Sequence, residues 1–170
     1  MAWIKLAAWL VVVLGVGLFL AGRVGLLRGT APQDLGVKEG RLKASSLTPN
    51  SVSSQTMLHA DHPMRVYAQI APLPLLGTGN SSGAQTIKAL ARLVEETPGG
   101  RVVESNDTYL RAEFTSPMLR FVDDTEFWFD ATNQRIDVRS ASRLGRKDFG
   151  VNRGRVEALR DKLSKLPSPS

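Results

Sequence analysis

Seventeen consecutive residues, Leu6 to Gly22, carry no charged or strongly polar side chain. As a helix this run spans roughly 26 Å at 1.5 Å per residue, and Ala2–Ile4 with a snorkelling Lys5 lengthen it to about 31 Å, the thickness of a bilayer core. Trp3 and Trp9 lie near one end, where amphipathic aromatics favour the interface, and Arg23 closes the other. No polar stripe interrupts the run, so it does not read as the amphipathic helix of a soluble core. A cleaved signal peptide needs small residues at −3 and −1 before the cut. A cut after Ala21 puts Phe19 at −3, and a cut after Gly22 puts Leu20 there. Residues 1–27 are therefore read as an uncleaved single-pass membrane anchor. Lys5 and the amino group oppose Arg23 and Arg28, so the positive-inside rule is nearly balanced. The usual behaviour of a short N-terminal anchor places the rest of the chain on the extracytoplasmic (periplasmic) side.

Beyond the anchor the apolar supply thins. The first 27 residues hold 21 apolar side chains, while the whole 170-residue chain averages 42 %. Residues 28–48, with Gly29, Pro32, Gly36 and Gly40 among alternating charges, read as a linker. Residues 49–166 read as one α+β domain, and 167–170 as a disordered tail. A short strand is predicted over Val66–Ala71. Ser81 or Ser82 is placed to cap a helix reaching Glu96, with Ile87, Leu90, Ala91 and Val94 on one face. Four strands are predicted: Arg101–Ser105, Thr108–Thr115, Arg120–Phe129 and Arg135–Ser142. Short turn-like separators favour an antiparallel meander. Asn152 is placed to cap a last helix, Arg153–Leu166, whose apolar stripe is Val156, Leu159, Leu163 and Leu166. The expected fold is an antiparallel four- to five-stranded sheet with two helices over one face.

Strand alternation sorts the side chains. Phe121, Asp123, Thr125, Phe127 and Phe129 share the apolar face with Leu110, Ala112 and Phe114. Asp124 and Glu126 fall on the opposite face, within reach of Arg111, Arg139 and Arg143, as a cross-strand ion-pair ladder on a solvated surface. Asp123 is the odd member, a carboxylate entering a phenylalanine face, where it needs donors; backbone amides, Ser140 and Ser142 are the expected ones.

Familiar chemistry is sparse. With no cysteine there is no thiolate nucleophile and no disulfide. His59 and His62 are followed at once by Pro63, which argues against a helical metal pair. Asp123 and Asp124 point to opposite strand faces and cannot easily share one ion. No cofactor or metal is expected. The net charge of +6 sits in residues 135–165, where ten Lys/Arg face four Asp/Glu. That basic third could contact anionic lipid; nucleic acid is not an expected partner for a chain anchored outside the cytoplasm.

Several motifs form an ordered series: Thr48-Pro49-Asn50-Ser51-Val52-Ser53-Ser54-Gln55, Tyr109-Leu110-Arg111-Ala112-Glu113, Phe121-Val122-Asp123-Asp124-Thr125-Glu126-Phe127, Arg139-Ser140-Ala141-Ser142-Arg143-Leu144-Gly145, and Asp148-Phe149-Gly150-Val151-Asn152-Arg153 followed by Arg155-Val156-Glu157. The series resembles the domain-of-unknown-function family 1499 over roughly residues 40–165. The resemblance implies small bacterial and plastid proteins, often with an N-terminal hydrophobic segment, and no established activity. Many members carry a Cys-x5-Cys pair where this chain has Ser45 and Ser51, which weakens any thiol-based activity for the family as a whole. The polar motif residues Asn50, Ser53, Ser54, Asp123, Asp124, Glu126, Arg139, Ser140, Ser142, Arg143, Asp148 and Asn152 are grouped as one candidate site or hydrogen-bond network. The expected function is a membrane-anchored accessory or binding domain without catalysis. The alternatives are an envelope hydrolase using Asp123 or Asp124 with Arg139, Arg143 and a serine from 51–54, and a lipid- or ligand-binding module.

Overall fold

The computed structural model describes residues 1–79 and 81–167. Of the expected tail over 167–170, all but Pro167 lies outside the described residues. The apolar N-terminal run forms one helix, α1 (Ala2–Arg23), the one helix among the described residues long and apolar enough to cross a membrane. Its most apolar stretch is wholly unburied by the rest of the chain.

The domain is α+β, as the alternation predicts. Strands β1 (Ser51–Ser53), β2 (Gly100–Ser105), β3 (Tyr109–Thr115), β4 (Val122–Asp130) and β5 (Arg135–Ser142) form an antiparallel sheet in the order β1-β5-β4-β3-β2. β2 to β5 are the predicted meander, and the three-residue β1 adds itself to the free edge of β5. The register sets Phe127 beside Leu110 and Val138, and Thr125 beside Ala112 and Ser140.

On the apolar face lie α3 (Ser82–Glu95) and α4 (Val151–Ser164), with α2 (Arg65–Ala68) a single turn before them in the chain. Ile87, Leu90, Leu93 and Val94 from α3 and Val156, Leu159 and Leu163 from α4 close over Leu110, Phe114, Phe127, Ile136 and Val138. α3 sits close because Gly83 has no side chain: a Cβ there would lie 2.3 Å from the Phe129 ring. Three local expectations change. Val66–Ala71 is a helical turn followed by a bridge from Gln69 to Ser53, not a strand. Neither Ser81 nor Ser82 caps α3 with its side chain; the Ser82 hydroxyl donates to Gly79 O instead. α4 is capped by the Asp148 carboxylate, which accepts from the Gly150 and Asn152 amides, rather than by Asn152.

The largest difference is at 28–48. This stretch is not a free spacer. Residues 30–47 run as a strap across the outer sheet face, held by five hydrogen bonds: Gly36 N to Glu126 Oε1 (2.7 Å), Arg139 Nε to Ala44 O (3.2 Å), Leu42 N to Gln55 Oε1 (2.7 Å), Gln55 Nε2 to Gly40 O (3.4 Å) and Ser46 N to Ser51 Oγ (2.8 Å). Leu42 is buried beneath it. The expectation of a solvated outer face therefore fails. Asp124, Glu126 and Asp137 are each at most 1 % exposed, because the strap removes water from the ladder.

Candidate functional site

The motif residues do gather, but on two faces of one sheet. On the outer face, β4 and β5 alternate acid against base. Arg143, just past β5, donates from Nε and Nη2 to both Asp124 oxygens (2.7 and 2.8 Å) and from Nη2 to Glu113 Oε1 (2.5 Å). Arg101 reaches Glu113 from the other side. Such forked guanidinium–carboxylate pairs are both stronger and more directional than single ion pairs. Burial would raise the Glu113 carboxyl, but the hydrogen bonds from Arg101 and Arg143 overcome it and hold its pKa below the usual range. The bonds to Asp124, and burial working against them, leave the Arg143 guanidinium with a raised pKa.

One register step along, Glu126 accepts from Tyr109 Oη (2.8 Å) and from the strap at Gly36, with Arg139 Nη1 at 3.5 Å from its second oxygen. Burial, and then the Glu126 charge, push the Tyr109 phenol up, so it stays a donor at physiological pH. Further on, Asp137 accepts from Ser54 Oγ (2.7 Å) and Gln55 Nε2 (3.0 Å). Ser53 Oγ accepts from the Gln55 amide.

A second network lies on the helix-facing side. Asp123 meets Arg155 from α4 at 2.5 Å, and the Arg155 guanidinium lies over the Phe114 ring at 4.6 Å. Its expected partners, Ser140 and Ser142, are instead taken by Asn152. That fully buried amide accepts from Ser140 Oγ and Arg155 Nη1 and donates to Asn50 O, Ser142 Oγ and Asp148 Oδ2. Asp148 also accepts from Tyr67 Oη. Burial works to raise the Asp148 pKa, but the Asn152 and Gly150 donors and Tyr67 outweigh it, so the carboxyl is held low and stays ionised. Asn50 Nδ2 closes the group on Gly145 O (2.6 Å).

Asp124, Glu126, Arg139, Arg143, Ser53 and Ser54 thus belong to the strap-covered face. Asp123, Ser140, Ser142, Asp148, Asn152 and Asn50 belong to the α4 side. The twelve do not converge on one point. Arg155, Glu113, Tyr109, Asp137 and Gln55 complete the two networks and were not among the candidates. Glu113 and Asp137 were legible by alternation; Arg155 was not, since it reaches Asp123 from 32 residues away.

Each network borders a cavity. One of about 400 Å3 lies between α4 and the ends of β3 and β4, lined by Pro98, Phe114, Asp123, Arg155, Leu159 and Lys162 among others. The other, about 310 Å3, lies under the strap beside Lys43, Ser45, Asp124, Arg139 and Arg143. Two buried donors bordering the strap cavity, Arg139 Nη1 and Ser45 Oγ, have no hydrogen-bond partner among the described residues. Ser51 uses its hydroxyl to accept from Ser46 N. A family model described as a protein of unknown function (DUF1499) matches residues 41–163. No curated protein and no solved structure matches the chain.

Proposed function

The chain belongs to the DUF1499 family of proteins of unknown function, and from there we propose that it is a single-pass, membrane-anchored binding domain of the cell envelope, without catalysis of its own, held on the extracytoplasmic side. The observation that carries this reading is the state of α1. Its side chains, such as Trp3 (82 % exposed), Trp9 (72 %) and Val11 (70 %), have no partner in the fold. A two-sided apolar surface of that size is unstable in water and calls for lipid around it.

What supports a role without catalysis is the way the polar groups are used. Asp123, Asp124, Glu126 and Asp137 each face a cation or a donor within the domain. The hydroxyls of Ser51, Ser53 and Ser54 are likewise committed to the backbone or to Asp137. No histidine bonds a hydroxyl among the described residues, so a nucleophile–base pair has no starting geometry. What supports binding is the strap cavity. An acceptor oxygen placed there would supplement Arg139, whose Nη1 has only the long 3.5 Å ion pair with Glu126, or give the Ser45 hydroxyl the partner it lacks.

Protease accessibility tests the placement. In cells with opened outer layers but an intact cytoplasmic membrane, added trypsin is expected to cleave the domain at exposed basic residues such as Arg41 and Lys165. Cleavage only after the cytoplasmic membrane is broken would put the domain on the other side.

A further inference from the structure

One end of the sheet, where β1, β2 and β4 begin and β3 and β5 end, gathers the loops at 46–50, 97–99, 116–121 and 143–150. The C-terminal end of α1 lies against the same end. Gly22 is packed on the Leu119 carbonyl so tightly that a Cβ there would lie 2.5 Å from the oxygen. Further back, Gly15 and Leu18 flank a groove with Met118, Leu119 and Phe121. Gly15 lies about 10 Å along the helix from Gly22 at 1.5 Å per residue. The 116–121 loop therefore rises beside the last two turns of α1 instead of stopping at Arg23. If Arg23 sits among headgroups, a rise of about 10 Å carries that loop through the headgroup layer to the edge of the hydrocarbon.

The chemistry of this end matches that depth. Met118 is 70 % exposed, Phe149 93 % and Val151 54 %, with Leu144 exposed beside them. Arg120 and Phe149 both hold positive φ, +60° and +54°. That region is rarely occupied by bulky side chains, so the fold bears strain to keep these two turns in shape. At Phe149 the fixing contacts are evident: Asp148 before it is locked into the α4 cap and Gly150 after it completes the turn, which leaves the phenyl ring pointing away from the core. Around these tips Arg23, Arg28, Arg146 and Lys147 are exposed. Across 22–30, 46–50, 116–121 and 143–153 the one acidic residue is Asp148, which is buried.

We infer that this sheet end is a second membrane contact: the 116–121 loop and Phe149 enter the interfacial layer of an anionic bilayer while Arg146 and Lys147 meet its headgroups. The inference rests on the reading of α1 as a membrane anchor and adds to it, fixing the domain's tilt rather than letting it swing on a tether. Apolar tips ringed by basic residues are how interfacial segments bind anionic lipid, each nearby Lys or Arg contributing electrostatically.

The chain has no cysteine, so single nitroxide labels can be placed cleanly in the full-length protein. In vesicles of phosphatidylcholine with phosphatidylglycerol, labels at Met118→Cys and Val151→Cys are expected to be several-fold less accessible to a water-soluble nickel chelate than a label at Asp107→Cys, in the exposed turn at the opposite sheet end. A label at Leu14→Cys in α1 is the internal reference. If it reads hydrocarbon while 118 and 151 read like 107, the docking is overturned and the anchor stands. If Leu14 also reads water, the anchor reading falls and the inference with it. Reversing both charges, Arg146→Glu with Lys147→Glu, is expected to restore nickel access at 151; unchanged access would overturn the role of anionic lipid.

Discussion

Replacing Arg143 with methionine is expected to lower the stability of the domain by about 4 kcal/mol, since removing one partner of a buried pair leaves the other charge without compensation. Asp124 is 1 % exposed and takes both of its strong bonds from Arg143, while Glu113 would keep only Arg101. On a domain of this size that loss moves the thermal midpoint by roughly 15 °C. Native domains hold about 5–15 kcal/mol in total, so the variant stands near the edge of folding. Pairing the change with Asp124→Leu is expected to return most of the loss, because two apolar side chains of similar volume escape the desolvation cost that the ion pair must overcome. Urea unfolding of the two variants in detergent micelles makes the comparison. A single variant as stable as the parent would mean that Arg143 is held for something other than the fold.

Asn152→Ala is expected to cost about 3 kcal/mol, with each buried group left unsatisfied contributing about 1–3 kcal/mol before relaxation. The amide ties β5, α4 and the chain before β1 together through Ser140, Ser142, Asn50 and Asp148, and it also orients Arg155. Its loss opens a small cavity, strips the Ser142 hydroxyl of its donor, leaves the Asn50 carbonyl only the Ser142 amide and the Ser140 hydroxyl chiefly Thr125, and frees Arg155 to swing from Asp123. The same unfolding measurement reads the effect. A change below about 1 kcal/mol, the net value of one ordinary hydrogen bond, would show that water replaces the amide and that Asn152 is not the hub of the network.

The strands of the meander were legible because their alternation is strong. Leu110, Ala112 and Phe114, and Phe127 with its neighbours, declare one face, and the register follows from matching apolar to apolar. The same alternation placed Asp124, Glu126, Arg139 and Arg143 together correctly. It said nothing of the strap. Residues 30–47 have no period of their own, and they dock through backbone groups onto Glu126, Arg139, Gln55 and Ser51, so no local pattern records the contact. For the same reason the ladder was expected in water and lies buried.

The α2 turn shows tertiary placement overriding propensity. Val66 and Tyr67 favour a strand, yet Tyr67 is needed at Asp148 and its carbonyl at Arg153, which a continuing strand would not reach. β1, at three residues, is too short for any pattern to mark. Asp123 carried a correct warning with the wrong remedy. Its need for a donor followed from alternation, but its donor sits on a helix whose angle over the sheet is a property of the packed core.

The most direct measurement is the identity of the amino terminus of the protein isolated from membranes after an alkaline carbonate wash. The expected result is the intact 18.5 kDa chain, α1 included, retained in the membrane pellet. A shorter chain beginning after Ala21 or Gly22 and released into the wash would make α1 a removed signal and contradict the anchored domain.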